Sequence, residues 1–120
     1  MNRLSLDEYQ ELAARYAIYK EKFSYGDSLN VLYPVLGLVS ESGEVADKIK
    51  KIVRDTDNDL YRLPSTTKIE IMKELGDCLW YIALIADELQ YDLSEVAEMN
   101  LNKLSSRRER NQLKGSGDNR

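Results

Sequence analysis

Two pairs of acids carry the chemistry this chain is best equipped to perform: Glu41 with Glu44, and Glu74 with Asp77. Within each pair the spacing is three residues, close to one helical turn, so both carboxylates project from one side of a helix. Four carboxylates brought together repel, and they do not all stay ionised beside an apolar core without a compensating charge. A divalent cation supplies that charge. Two or three such ions would bridge phosphate oxygens and lower the pKa of a coordinated water. The 120-residue chain contains no histidine, which removes Ser-His and Cys-His nucleophiles, Glu-x-x-His di-iron sites and His-rich zinc sites. Its one cysteine, Cys78, supplies neither an intrachain disulfide nor a Cys-rich zinc centre. An all-oxygen ligand set selects a hard cation, Mg²⁺ with Mn²⁺ as a substitute.

The placement of the pairs, more than their presence, gives them weight. At about 100° per residue, with Glu41 at zero, Leu38, Val45, Ile49 and Ile52 lie between about 20° and 80° and Glu44 at about −60°. With Glu74 at zero, Leu75, Cys78, Ile82, Ile85 and Leu89 lie between about 20° and 100° and Asp77 at about −60°. Both helices thus carry one acid beside the apolar stripe and a second acid further out. Antiparallel packing of the two stripes brings the four acids to one seam. The competing reading is that such pairs are common on solvated helices and form ordinary i,i+4 ion pairs, Glu44 with Lys48 for instance.

The elements that must hold these residues are helical. Ser5 and Glu8 form a capping box for a first helix over about Leu6–Lys22. Phe23–Asn30 reads as a loop, and Pro34 opens a second helix that ends near Arg54. Asp55–Ser65 is a turn-rich connection, and Thr67 with Glu70 caps a third helix reaching about Leu89. Asp92 with Glu95 starts a fourth, which ends near Arg110. The expected fold is therefore all-α, a four- to five-helix bundle, with one domain over residues 1–110 and a flexible or loosely docked tail over 111–120. Leu93, Val96, Ala97 and Leu104 form the apolar stripe of the fourth helix, with Asn100, Lys103 and Arg107 on or beside it. A lysine and an arginine there reach a phosphate as point charge and fork, or merely snorkel to water. Trp80 and Leu84 lie opposite the third helix's stripe, which predicts a second buried surface and hence an oligomer. Tyr9, Tyr16 and Tyr33 are expected in the core rather than stacked on a base.

Composition narrows the partners. Hydrophobic residues make up 42% and charged residues 32%, ordinary for a folded, charge-rich helical protein and too apolar for disorder. The net charge of −4 argues against binding a nucleic-acid backbone, while leaving small phosphorylated ligands open through a bridging metal. No apolar run approaches a membrane span and MNRLSLDEYQ lacks a signal-peptide hydrophobic region, so a cytoplasmic protein is the expectation.

Three blocks, GLVSESGEVADKIKK, KELGDCLWYIALIADEL and NLNKLSSR, with the ending GSGDNR, resemble the MazG-like family of all-α nucleoside triphosphate pyrophosphohydrolases. The resemblance runs from Tyr9 onward, and the ordered set of blocks is far more specific than either acidic pair. It implies Mg²⁺-dependent cleavage of a (d)NTP between the α- and β-phosphates to a (d)NMP and pyrophosphate. It implies Glu41, Glu44, Glu74 and Asp77 as metal ligands and catalytic acids, with Asn100, Lys103 and Arg107 as phosphate contacts. It also implies a homodimer or homotetramer. The family often has a further acid where this chain has Ser40, which bears on the number of ions. Related phosphoribosyl-ATP pyrophosphohydrolases commonly have a histidine near the second acidic motif, where Cys78-Leu79-Trp80-Tyr81 follows here; dimeric dUTPases share the architecture but are usually longer. The rivals from other classes are a helical interaction module with solvated acids, and a nucleotide sensor that keeps the site without turnover.

Overall fold

A computed structural model describes residues 2–22, 29–55 and 60–118. Among them are five α-helices and no strand: α1 (Leu6–Ala14), α2 (Tyr19–Lys22), α3 (Leu29–Asp55), α4 (Ser65–Glu88) and α5 (Leu93–Glu109), with a 3₁₀ turn at Leu60–Arg62 before α4. The all-α expectation holds. Most of the expected Phe23–Asn30 loop and part of the Asp55–Ser65 connection lie outside the described residues.

Local chemistry explains most of the helix ends. Ser5 Oγ accepts from the Glu8 amide at 3.1 Å and the Glu8 carboxylate accepts from the Ser5 amide at 2.7 Å, the expected capping box. Asp92 and Glu95 begin α5 in the same way, the Glu95 carboxylate accepting from the Asp92 amide at 2.8 Å. At the other end of α4, Gln90 adopts a left-handed φ of 63° and Tyr91 N–H bonds Ala86 O at 2.9 Å, which reverses the chain into α5.

Several boundaries differ from expectation. The first helix is interrupted after Ala14, where the backbone tightens into i→i−3 bonds before resuming at Tyr19. The second starts at Leu29 rather than Pro34, so the buried Pro34 sits in its second turn. A proline there removes one early helical hydrogen bond but still fits the helical φ. Helix α4 begins at Ser65 behind Pro64, and no side-chain cap forms, so Thr67 is already inside the helix.

Helices α3 and α4 form the long antiparallel pair: Gly37 meets Tyr81, Ser42 Oγ lies 3.8 Å from Cys78 Sγ, and Lys48 reaches Glu74. Helices α1 and α2 cover one side of this pair. Ala17, Tyr19 and the fully buried Leu84 make the core there, with Ala14 and Trp80 against it. Truncating Leu84 to Ala would cost about 2–5 kcal/mol. Trp80 donates from Nε1 to Ala13 O at 3.0 Å. The second surface of α4 is therefore filled from within the chain, which corrects the expectation that Trp80 and Leu84 mark an oligomer contact. Its apolar breadth was real, but α1 answers it.

Gln10, buried on α1, ties the ends together. Its Nε2 donates to Ala83 O and Tyr91 O at 3.3 and 2.9 Å, and its Oε1 accepts from Leu93 N–H at 2.9 Å. Asp7 accepts from the amide and hydroxyl of Ser94. Tyr33 stacks on Tyr19 with centroids 4.8 Å apart, yet remains 44% exposed, and Tyr16 is 74% exposed, so the expected core placement fails for Tyr16. The opposite side of the hairpin stays bare. Leu36, Val39, Met72 and Leu75 are each more than half exposed, and on α5 only Leu93 of the expected stripe is fully buried.

Candidate metal and phosphate site

Glu41 on α3 and Glu74 and Asp77 on α4 converge, with one carboxylate oxygen from each lying within 4.8 Å of the other two. The helical phase accounts for their burial. Glu41 and Glu74, set beside the stripes, are half-buried, while Glu44 and Asp77, one step out, are exposed. Asp77 nevertheless swings into the cluster from the facing helix. Glu44 stays on the outer flank of α3 and is not part of the triad, although its charge is felt there.

The electrostatics are those of crowded acids. Desolvation, followed by the charges of Asp77, Glu74 and Glu44, pushes the Glu41 carboxyl above its ordinary range. Lys48 Nζ sits 3.3 Å from Glu74 Oε1 and neutralises part of this charge. The competing reading paired Lys48 with Glu44 one turn away on its own helix; Lys48 crosses to α4 instead. Sequence periodicity could not separate these partners, because both lie within reach of one long side chain.

Two phenols border the acids. Tyr81 is raised above its usual range chiefly by burial and Tyr33, with smaller contributions from Glu41 and Asp77. Tyr9 is raised by burial and then by Asp77. A Cβ at Gly37 would overlap the Tyr81 ring, so the glycine is what lets that ring lie between the helices beside the acids. Neither Tyr81 nor Lys48 stood out as a site residue in the sequence; facing positions on two helices would have flagged them, had their register been known.

The donor set fits a hard divalent cation. An octahedral Mg²⁺ with oxygens at about 2.1 Å places neighbouring ligands about 3 Å apart and opposite ones about 4.2 Å apart. The three acids are within small side-chain adjustments of that spacing, and the ammonium already drawn to Glu74 shows that the site attracts positive charge.

The cations expected to meet phosphate are on α5. Asn100 is exposed, Lys103 half-buried and Arg107 buried, 5% exposed. Arg107 does not snorkel to water: its Nη2 donates to Gly117 O at 3.1 Å and Asp118 O at 2.7 Å. Lys103 Nζ lies 3.3 Å from Asp118 Oδ1. Asn100 and Lys103 also line an open hollow of about 390 Å³ whose other walls are Tyr91, Val96 and Met99. Thus the acids gather between α3 and α4, and the cations gather on α5 under the tail.

No helix among the described residues is long and apolar enough to cross a membrane. Residues 32–111 match the MazG nucleotide pyrophosphohydrolase domain. The chain is 41% identical over 117 residues to the Gene 37 protein of Mycobacterium phage L5, covering 98% of this chain and 100% of that one. No solved structure matches.

Proposed function

Because the chain belongs to the MazG nucleotide pyrophosphohydrolase family, we propose that it hydrolyses a nucleoside triphosphate to the monophosphate and pyrophosphate with the help of Mg²⁺, for which Mn²⁺ substitutes. The observation that carries this reading is the convergence of Glu41, Glu74 and Asp77. These three hold the cation, and Glu44 stands beside them on the solvent side without ligating it. When bound, the cation supplies charge neutralisation at the phosphates and activation of water. Glu44, exposed and outside the triad, is the acid left to take the proton as water attacks a phosphorus of the α–β bridge. As that phosphorus–oxygen bond breaks, Lys103 and Arg107 stabilise the charge growing on the departing pyrophosphate, and Asn100 orients it. The hollow between Tyr91 and Met99 suits the nucleoside, next to the phosphate side marked by Lys103 and Asn100.

The active species in this proposal is a homodimer or homotetramer. The chain exposes 9603 Å², about 3,000 Å² more than a monomer of its 13.8 kDa mass ordinarily does. Bare Leu36, Val39, Met72 and Leu75 give a second copy of the α3–α4 hairpin an apolar face to cover. The test is pyrophosphate release from the common and modified (d)NTPs with Mg²⁺ present. Release that persists undiminished in Glu41→Gln or Asp77→Asn would sink the assignment.

A further inference from the structure

We propose that the segment Gly115–Asp118 is an intramolecular anion mimic, which occupies the Lys103–Arg107 pair until a phosphate group displaces it. The inference rests on the reading of those two cations as phosphate ligands and adds a competitor built into the same chain. Asp118 Oδ1 lies 3.3 Å from both Lys103 Nζ and Arg107 Nη2, so one carboxylate spans the two cations as a phosphate oxygen would. Lys103 and then Arg107 hold that carboxyl below its ordinary range.

The bond pattern shows an exchangeable occupant rather than a permanent lock. All three acceptors from the tail, Gly117 O, Asp118 O and Asp118 Oδ1, crowd onto the single nitrogen Nη2. Arg107 Nε is buried and has no acceptor. A guanidinium in a residue only 5% exposed normally has its donors satisfied, and a bidentate oxyanion takes Nε and one Nη together. The tail leaves that fork half used. Asp118 itself is 84% exposed at its side chain, where an ion pair is screened and weak. The segment is also shaped to return to α5: Gly115 and Gly117 have φ of 106° and 87°, values that side-chain-bearing residues rarely adopt.

The test measures binding of inorganic pyrophosphate in Mg²⁺ by calorimetry, using the full chain. Asp118→Asn is expected to bind about three- to fivefold more tightly than the native chain, the range that loss of an exposed competing pair allows. Glu109→Gln, which removes the same charge from the end of α5, is expected to match the native affinity. Equal or weaker binding by Asp118→Asn overturns the mimicry, and so does an equal gain in Glu109→Gln, which would make the effect one of net charge. Lys103→Met separates the two layers of argument. If it binds pyrophosphate as tightly as the native chain, the phosphate role of Lys103 fails and the mimicry falls with it. If it binds more weakly while Asp118→Asn is unchanged, only the tail's part is overturned.

Discussion

Lys48 on α3 places its ammonium 3.3 Å from Glu74 on α4, so a side chain of one helix already balances an acid that the other turns toward Glu41. This resident ammonium offsets part of the mutual repulsion among the three carboxylates. Replacing Lys48 by Met leaves the triad without that compensation. We expect the variant to melt a few degrees below the native chain in EDTA, and to gain more from added Mg²⁺ than the native chain does. Melting curves in both conditions check this; an unchanged gain would mean that Lys48 and the metal do not address the same charge.

Glu41 has the opposite sign. Its charged carboxyl is destabilised by desolvation and then by three neighbours of like charge, so Glu41→Gln should melt at or above the native temperature in EDTA while losing the Mg²⁺-induced rise and nearly all turnover, on the order of 100-fold or more. Glu44→Gln should behave differently, keeping part of the Mg²⁺ stabilisation while losing turnover by roughly tenfold or more, the general-base range at its lower end. Parallel loss of both properties in Glu44→Gln would place Glu44 among the ligands instead of at the water.

Gly37 faces the ring of Tyr81, which is packed in turn against Trp80 and Tyr33. Gly37→Ala forces that ring to move, and overpacking of this kind costs about 1–3 kcal/mol. The midpoint of urea unfolding measures the loss. Because Tyr81 borders the acids, turnover should fall with it. A stabilised Gly37→Ala, as helix propensity alone would give, would show that the ring yields freely.

The acids are also the part most legible from sequence, for a physical reason. A three-residue spacing and a 3.6-residue period fix burial without knowledge of the partner helix: Glu41 and Glu74 come out half-buried, Glu44 and Asp77 exposed, as the helical arithmetic expects. What periodicity lacks is register between helices. It could not say that Lys48 would choose Glu74, that Asp77 rather than Glu44 would complete the triad, or that α1 would cover Trp80. Pro34 misled because proline marks a first turn by preference, whereas here the helix extends five residues ahead of it and forgoes one backbone hydrogen bond. The tail was read from composition, which says nothing of a buried arginine in need of acceptors.

The cap of α1 supplies a pH test. Glu8 is held below its ordinary range chiefly by the bond from the Ser5 amide. A depressed folded-state pKa contributes stability above the unfolded value and loses it as pH falls through the folded one. The native chain should therefore be more stable than Glu8→Ala at neutral pH, and the difference should shrink steadily as the solution is acidified below the usual glutamate range. A gap independent of pH would assign the effect to helix propensity instead.

The bare hairpin face gives an association test. Val39 and Met72 are 68% and 65% exposed, and a charge at either is harmless unless a second copy covers it. Sedimentation of the native chain should give a dimer or tetramer, and Val39→Glu or Met72→Glu should shift it to monomer at micromolar concentration. A native monomer would remove the assembly from the proposal.

Trp80, the sole tryptophan, is fastened by its indole N–H to Ala13 O of α1. The chain thereby contains an optical gauge of a single event, the lifting of α1 from α4. Emission from this one fluorophore follows the docking of the N-terminal helix through heating or dilution, and with Tyr9 on that same helix near Asp77, it tells whether the wall beside the acids is in place.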